Sequence, residues 1–314
     1  MDEGGDRPIA DYAIVGDCHG SALVAKDGSV DWCALGRFDA DPICMRLLDA
    51  RRGGFLGIRP RGDYRSTRAY LPRTNILRTE FATATGRAAL TDWMALGRTR
   101  DAGPNDYVSV AAPGWLVRRI EALEGRIELD IECRASLEYG RRFAGFTPRG
   151  NAALIEGTPL ALHSDVAFTL ADDAVSATIR LEAGERRYVA LAPAADTVDD
   201  ATIDALFEVT RAFWTEWIGY CRYDGPYTAQ VERSALVLKL LTYAPSGACV
   251  AAPTTSLPEE IGGERNWDYR YCWIRDASLM LHALSALGYS GEAHRFWDFL
   301  CRRLENHIAS RLAG

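Results

Sequence analysis

Several chemical signatures are missing from this 314-residue sequence. It contains no P-loop, no G-x-G-x-x-G, no G-x-S-x-G and no H-E-x-x-H motif. These short motifs mark phosphate, dinucleotide, serine-nucleophile and zinc-protease sites. Their absence leaves nucleotide-dependent, flavin-dependent and serine-hydrolase functions without support, and we expect no cofactor.

Cysteine and histidine are present, but not at spacings that bind metal. None of the eight cysteines forms a C-x-x-C pair, and the five histidines are dispersed. Because a zinc site draws on ligands at short, regular spacings, we expect no bound metal. The thiols are expected to be reduced and mostly buried as small apolar side chains. They belong to Cys18, Cys33, Cys44, Cys133, Cys221, Cys249, Cys272 and Cys301.

The sequence also lacks a long apolar run and an excess of positive charge. No stretch is apolar over the length that a bilayer requires. The first residues, MDEGGDRPIADY, are acidic and have no apolar core of a secretion signal, so we expect a cytoplasmic protein. The net charge of −7 argues against nucleic acid or an anionic membrane as the main partner.

From Tyr12 to about Pro193, short alternating runs such as YAIVG, SALVA and VDWCA are separated by turn residues. The turn signals are Asp27-Gly28, Glu124-Gly125, Asp172-Asp173 and Gly184-Glu185. Short strands punctuated in this way are typical of an antiparallel β-sandwich. We predict such a domain over residues 1–196, within an α+β multidomain protein.

Helical periodicity replaces this pattern after residue 196. Thr197 and Asp200 have the spacing of a capping box, and the residues that follow predict a helix with an aromatic stripe on one face. The stripe consists of Ile203, Leu206, Phe207, Phe213, Trp214, Trp217 and Ile218. We predict a bridging helix over residues 197–222 that packs on both of its neighbours.

The last segment, residues 223–314, predicts three more helices. The first, TAQVERSALVLKLLTY, is apolar on nearly all sides, and so is the second, which ends at Gly288. Both are therefore expected to be buried. The third begins near Ser290, and its inward-facing residues are predicted to be Ala293, Trp297, Leu300 and Leu304.

Aromatic and charged residues are concentrated within the stretch Thr254 to Leu281. Eight occur within ten positions, namely Trp267, Asp268, Tyr269, Arg270, Tyr271, Trp273, Arg275 and Asp276. Aromatic rings stack on the C–H faces of a pyranose, while arginine and aspartate bond its hydroxyls. This composition predicts a sugar site at the entrance to the helix that ends at Gly288. The alternative is a buried Arg275–Asp276 pair that ties the loop to the helix.

Two stretches of the chain resemble a known family. YTAQVERSALVLKLLTYAPSGACVAAPTTSLPEEIGGERNWDYRYCWIRDASL is similar to the start of the catalytic domain of glycoside hydrolase family 15, the glucoamylase and trehalase-like enzymes. DYAIVGDCHGSALVAKDGSVDWCALGRFDADPICMRLLD resembles the trehalase-like N-terminal domain of bacterial members. The resemblance implies an (α/α)6 barrel, of which residues 223–314 hold only the first helices. It also implies inverting hydrolysis of an α-glucoside, either trehalose, maltose or a longer α-glucan, with release of glucose.

In the resembled family, the pattern Tyr-x-x-x-Trp-x-Arg-Asp lines the subsite for the non-reducing glucose. It carries over to Tyr269, Trp273, Arg275 and Asp276, which are expected to contact substrate and not to act as acid or base.

The catalytic acid and base are not evident in this sequence. An inverting glycosidase needs two carboxyl groups about 6.5–9.5 Å apart, and no local acid has a distinguishing sequence feature. The acids of the site stretch are Glu259, Glu260, Glu264, Asp268 and Asp276. The resemblance implies that both catalytic glutamates lie beyond Gly314, so we expect a truncated chain without them. A non-catalytic sugar-binding or regulatory fragment is the alternative.

One other motif points to different chemistry. Gly16-Asp17-Cys18-His19-Gly20 has the spacing of the metal-binding turn of binuclear metallophosphatases. The further aspartate, asparagine and histidine motifs of those enzymes are missing, so a tight turn in which Asp17 bonds nearby backbone is preferred.

Finally, helices left without barrel partners would expose apolar surface, and we expect a homo-oligomer or aggregation.

Overall fold

A computed structural model of the chain describes residues 7–256, 258–260 and 262–312, with side chains up to residue 305. Predictions that involve residues 1–6, Leu257, Ile261 or the last two residues lie outside this range. The fold is α+β. Its helices are α1 (Asp200–Ile218), α2 (Thr228–Leu240), α3 (Ile274–Ala286) and α4 (Gly291–Leu312), besides a 3-10 turn at Ile9–Asp11.

The strands follow in chain order. They are β1 (Tyr12–Gly16), β2 (Ser21–Ala25), β3 (Ser29–Ala34), β4 (Phe55–Pro60), β5 (Arg65–Tyr70), β6 (Leu77–Ala82), β7 (Gly86–Met94), β8 (Gly97–Arg98), β9 (Val110–Ala111), β10 (Leu116–Arg134), β11 (Ser136–Leu137), β12 (Arg142–Phe143), β13 (Phe146–Arg149), β14 (Ala152–Ile155), β15 (Leu160–Ser164), β16 (Thr169–Leu170), β17 (Val175–Glu182), β18 (Arg186–Pro193), β19 (Thr242–Tyr243) and β20 (Ala248–Cys249).

Fourteen of these strands form one large antiparallel sheet, as the alternating sequence predicts. Its main path runs β1-β2-β3-β4-β10-β18-β15-β14-β13, and β5, β6, β7, β16 and β17 attach to the side of this path. The predicted turn at Asp27-Gly28 is confirmed, since it joins β2 to β3 and Gly28 adopts φ +82°. Leucine, isoleucine and valine from both halves of the sheet form a single buried cluster.

The predicted break at Glu124-Gly125 is wrong. The two runs form one strand, β10, whose first half pairs with β7 and β18 and whose second half pairs with β4 and β17. The register against β7 shifts between Ala122 and Glu124, which indicates a bulge just before Glu124 and Gly125, and these two residues remain paired with Arg87 and Gly86.

A buried charge pair lies in the first half of β10. Arg118 is fully buried, and its Nε donates to Asp92 Oδ1 of β7 over 2.7 Å. The same guanidinium donates to the carbonyl oxygens of Leu56 and Gly28, each over 2.6 Å. Arg118 therefore bonds β7, β4 and the turn between β2 and β3, which lie far apart in the sequence.

Helix α1 packs against both the strands and the other helices. Ile203 near its start contacts the cluster that contains Trp93 of β7, whereas Trp214 and Trp217 near its end belong to the cluster formed with α2, α3 and α4. The predicted cap at Thr197 and Asp200 is wrong. Asp199 is the N-cap, and its carboxylate accepts from the Thr202 N–H over 2.8 Å.

The last helices are less buried than their sequences predict. In α3 the buried residues are Ala277, Met280 and Leu284, and in α2 they are confined to the second half. The prediction that Trp297 and Leu304 of α4 face inward is also wrong, because they are 66% and 61% exposed. Up to residue 305, where side chains are described, the buried residues of α4 are Glu292 and Phe296.

A buried ion pair joins these helices. Lys239 Nζ of α2 lies 2.9 Å from Glu292 Oε1 of α4, and both side chains are nearly inaccessible. Trp217 of α1 donates its Nε1 hydrogen to the same carboxylate oxygen over 3.0 Å. One carboxylate therefore links three helices.

Among the described residues, no helix combines the length and apolar character needed to cross a membrane. Five of the eight cysteine side chains are buried, which confirms the prediction that most of them are.

Candidate functional site

The loop that precedes α3 is held against earlier parts of the chain by backbone hydrogen bonds. The N–H groups of Ala251 and Ala252 donate to the carbonyl oxygens of Tyr271 and Tyr269, over 3.3 and 2.9 Å. The segment just after β20 therefore fixes the backbone of the loop shortly before it enters α3.

Arg270 is the main side-chain anchor of this loop. It is only 5% exposed, and it forms an ion pair with Asp268 over 2.7 Å. Its two terminal nitrogens also donate to the Ala40 carbonyl oxygen over 3.1 Å and to the Tyr139 hydroxyl over 2.9 Å. Because Ala40 and Tyr139 belong to the strand region, Arg270 fastens the loop to that part of the protein.

Asp268 is the partner that positions Arg270. Burial by itself would raise the pKa of the Asp268 carboxyl, but hydrogen bonds from the Arg270 side chain and backbone hold that pKa below its ordinary value. Thr255 contributes a further hydrogen bond over 3.3 Å. An acid with a lowered pKa is a poor proton donor near neutral pH, so Asp268 is unsuited to be a general acid.

Two aromatic side chains stack beside this anchor. The rings of Tyr269 and Trp273 lie 5.2 Å apart with an angle of 23° between their planes, and Trp267 meets Trp273 edge-on at 6.4 Å. Trp273 Nε1 donates to the Asp268 carbonyl oxygen over 3.4 Å, which fixes the indole. The stack is half-buried and retains a solvent-facing edge.

Arg275 and Asp276 lie in the first turn of α3, as the sequence predicts. Arg275 Nη2 is 3.1 Å from Asp276 Oδ2, and the side chains are 72% and 36% exposed. The alternative of a buried pair that ties the loop to the helix is therefore wrong. The Arg275 guanidinium lies 5.9 Å from the Trp273 ring centroid, so the pair and the stack form one surface.

This surface combines flat rings with one donor group and one acceptor group that water can reach. Such a surface can bind a pyranose, whose C–H face packs on rings while its hydroxyls bond the charged groups. A cavity of about 250 Å³ lies beside the loop, lined by Arg270, Tyr271 and Cys272 on the loop side. The four predicted contact residues do not line this cavity.

Another acid of the loop, Glu259, contacts the aromatic stack. Glu259 accepts from the Tyr269 hydroxyl over 3.3 Å, and it lies 3.8 Å from Arg265. Glu259 therefore supports the aromatic stack through the Tyr269 hydroxyl.

The Asp17-x-His19 motif forms the predicted tight turn. Asp17 Oδ1 accepts from the N–H groups of His19 and Gly20 over 2.9 and 2.7 Å, and burial raises the pKa of this carboxyl. In the part of the chain that the structure describes, no three histidine, cysteine, aspartate or glutamate side chains are grouped to hold a metal ion. The metallophosphatase alternative therefore has no geometric support.

The sequence profile of glycosyl hydrolases family 15 matches residues 195–313, which include the entire aromatic loop. Residues 195–313 of this chain belong to glycosyl hydrolases family 15.

The curated relatives of this chain include several proteins named trehalase. The chain is 35% identical to one from Mycolicibacterium smegmatis, over 93% of this chain and 47% of that protein. It is 34% identical to one from Mycobacterium tuberculosis, over 93% and 46%, and 31% identical to one from Thermoplasma volcanium, over 91% and 46%. The chain thus spans about half the length of these relatives.

Among solved structures, an α-mannosidase of family GH92 from Bacteroides thetaiotaomicron aligns with a TM-score of 0.19 and 10% identity. The alignment covers 74% of this chain and 32% of that one. A likeness of this size carries no inference.

The anchoring role of Arg270 was missed at the sequence level. Arg270 and Arg275 occur in the same aromatic segment, and sequence gives no measure of burial. The only available signal was the close spacing of Asp268 and Arg270, which allows a local ion pair.

Proposed function

We propose that this family 15 protein hydrolyses an α-glucoside by inversion and releases glucose, with trehalose as the preferred substrate. The observation that carries the proposal is the solvent-facing Tyr269–Trp273 stack with Arg275 and Asp276 beside it. The names of the curated relatives favour trehalose over maltose and longer α-glucans.

In this proposal the four residues bind the non-reducing glucose. Tyr269 and Trp273 pack on the C–H face of the sugar, and Arg275 and Asp276 bond hydroxyls away from the bond that breaks. Such contacts raise kcat only where they strengthen in the transition state, for example as the ring flattens towards an oxocarbenium ion.

The proton donor and the base that activates water are proposed to come from elsewhere in the complete protein. Helices α2 to α4 would be the first helices of an (α/α)6 barrel, preceded by a β-sandwich domain over residues 1–196 and a bridging helix over residues 197–222. The two catalytic glutamates would then come from barrel loops that follow residue 314.

Substitutions in a protein extended to the length of its relatives test the substrate contacts. We expect Arg275→Ala and Asp276→Ala each to lower kcat/KM for trehalose at least tenfold, or about 1.4 kcal/mol of transition-state binding. Glu264→Ala is the matched control, because it removes an exposed charge from the same loop. Unchanged kinetics for both site variants would contradict the proposed contacts.

Ligand titration of the 314-residue chain tests binding without catalysis. Trp267 is 51% exposed and touches Trp273, so tryptophan fluorescence should respond when a sugar covers the stack. We expect a saturable response to trehalose that disappears in Trp273→Ala.

A further inference from the structure

A second cavity lies on the large sheet, and none of its lining residues belongs to the aromatic loop. Its volume is about 290 Å³, close to the lower end of the range for small-molecule sites, about 300–1,000 Å³. Phe55, Gly57 and Arg59 alternate along β4 with the core residues Leu56 and Ile58, so they face away from the sheet core.

Gly57 forms the floor of this cavity. It lies opposite Glu132 in the β4–β10 pairing, where a side chain would otherwise fill the space. A Cβ atom at Gly57 would stand 3.5 Å from the Phe55 ring and meet no closer atom. Glycine in a strand interior weakens the strand and often marks a place where a ligand approaches. The backbone conformation at Gly57 does not require glycine. The space beside the Phe55 ring is open because Gly57 has no side chain to fill it.

One wall of the cavity is held rigidly by a buried network. The Ser29 hydroxyl donates to Asp31 Oδ1 over 2.5 Å, and Arg46 donates to Asp31 and to Ser29. Asp31 is fully buried, and the Arg46 guanidinium lies 4.1 Å from the Phe55 ring centroid. The donor groups and the ring are therefore in fixed positions before any ligand arrives, which lowers the ordering cost of binding.

Two charged groups at the cavity have free bonding capacity. Within the described residues, Arg59 and Glu132 have no hydrogen-bond or ion-pair partner, although both line the cavity. Asp130 lies opposite Arg59 in the strand pairing and also lines it. The lining thus contains hydrogen-bond donors, acceptors and one aromatic ring. Its carboxylates would repel an anionic ligand.

We propose that this cavity is an auxiliary binding site for a neutral polyhydroxylated ligand, namely one sugar unit of an oligosaccharide. The ring of Phe55 beside Gly57 packs on the sugar, while Arg59, Glu132 and Arg46 bond its hydroxyls. This assignment rests on the lining residues alone and does not depend on the proposed function of the aromatic loop.

The test uses saturation-transfer NMR titrations of the 314-residue chain carrying Trp273→Ala, which removes the stack of the first site. Trehalose and maltose are the sugar probes, and alanine is the zwitterionic probe. Gly57→Val fills the cavity with a side chain that suits a strand, and Glu132→Gln removes one acceptor. Glu128→Gln is the matched control, because Glu128 is on the same strand outside the cavity.

We expect saturable binding of at least one sugar in the Trp273→Ala background. The dissociation constant should rise at least tenfold in Gly57→Val and severalfold in Glu132→Gln, and stay unchanged in Glu128→Gln. Circular dichroism and thermal melts verify that each variant folds, and Gly57→Ala replaces Gly57→Val if the latter does not. Absence of sugar binding, binding that survives filling of the cavity, or binding of alanine without sugar would each overturn the proposal.

Discussion

At the scale of single residues, burial separates two arginines that look equivalent in sequence. Arg270 is buried, and its guanidinium bonds three partners in the protein. Arg275 is largely exposed, and its one ion pair leaves most of its donors facing water. Arg270 therefore holds the loop in position, whereas Arg275 is free to bond a ligand.

We predict that Arg270→Met lowers the free energy of unfolding by about 1–3 kcal/mol, the usual loss when hydrogen bonds of a charged buried group are removed. Arg275→Met is the matched control, and it should change stability by less than about 0.5 kcal/mol, as exposed substitutions do. Urea denaturation followed by circular dichroism measures both. Equal effects of the two substitutions would show that Arg270 is not an anchor.

At the scale of secondary structure elements, one carboxylate organises the helices. Glu292 of α4 accepts from Lys239 of α2 and from Trp217 of α1, and the Trp217 ring stacks on Tyr289 at 4.1 Å. Burial by itself would raise the pKa of the Glu292 carboxyl, but the charge and hydrogen bond of Lys239 hold it below its ordinary value.

This pair predicts a pH-dependent stability. Because the folded carboxyl has the lower pKa, the unfolded chain binds the extra proton as pH falls below the ordinary glutamate value of 4.5. The stabilisation is therefore complete above that pH and is lost as pH falls through the folded pKa. Thermal melts between pH 3 and 7 should show the loss.

The matched variants separate the pair from general acid unfolding. Glu292→Ala leaves the buried Lys239 without its partner and should lower the free energy of unfolding by about 3–5 kcal/mol at neutral pH. The double variant Lys239→Met with Glu292→Leu should recover most of this lost stability. The double variant should also lose less stability on acidification. If the stability of the double variant fell with pH as that of the wild type does, the Lys239–Glu292 pair would not be the source of the pH dependence.

At the scale of the whole molecule, apolar side chains are exposed on two neighbouring helices. Ile274 and Leu279 of α3 are 58% and 67% exposed, and Trp297 and Leu304 of α4 are exposed to a similar degree. Large apolar groups concentrated on one part of a surface favour association.

We predict that the 314-residue chain associates in solution at micromolar concentration. Leu279→Glu together with Trp297→Glu should shift it towards monomer, and Tyr227→Glu, which changes the exposed aromatic residue just before α2, should not. Multi-angle light scattering at several concentrations measures the mass. A monodisperse wild-type monomer would contradict the prediction.

Local features were predictable from the sequence, and distant pairings were not. Asp27-Gly28, Gly288 and the first turn of α3 follow from turn and helix-end preferences that act over a few residues. The Arg118–Asp92 and Lys239–Glu292 pairs join residues far apart in the chain, and no local pattern indicates them. The exposure of Trp297 was not predicted, because helical periodicity identifies an apolar face of a helix but does not show whether another element packs on it.

The shared strand β10 has a consequence for cooperativity. Each half of β10 forms backbone hydrogen bonds with different strands. If one half of the sheet opened, the backbone groups of β10 in that half would lose their partners while the same strand remained paired in the other half of the sheet. The strand region should therefore unfold as one unit, and a destabilising change near β17 should be felt as far away as β7.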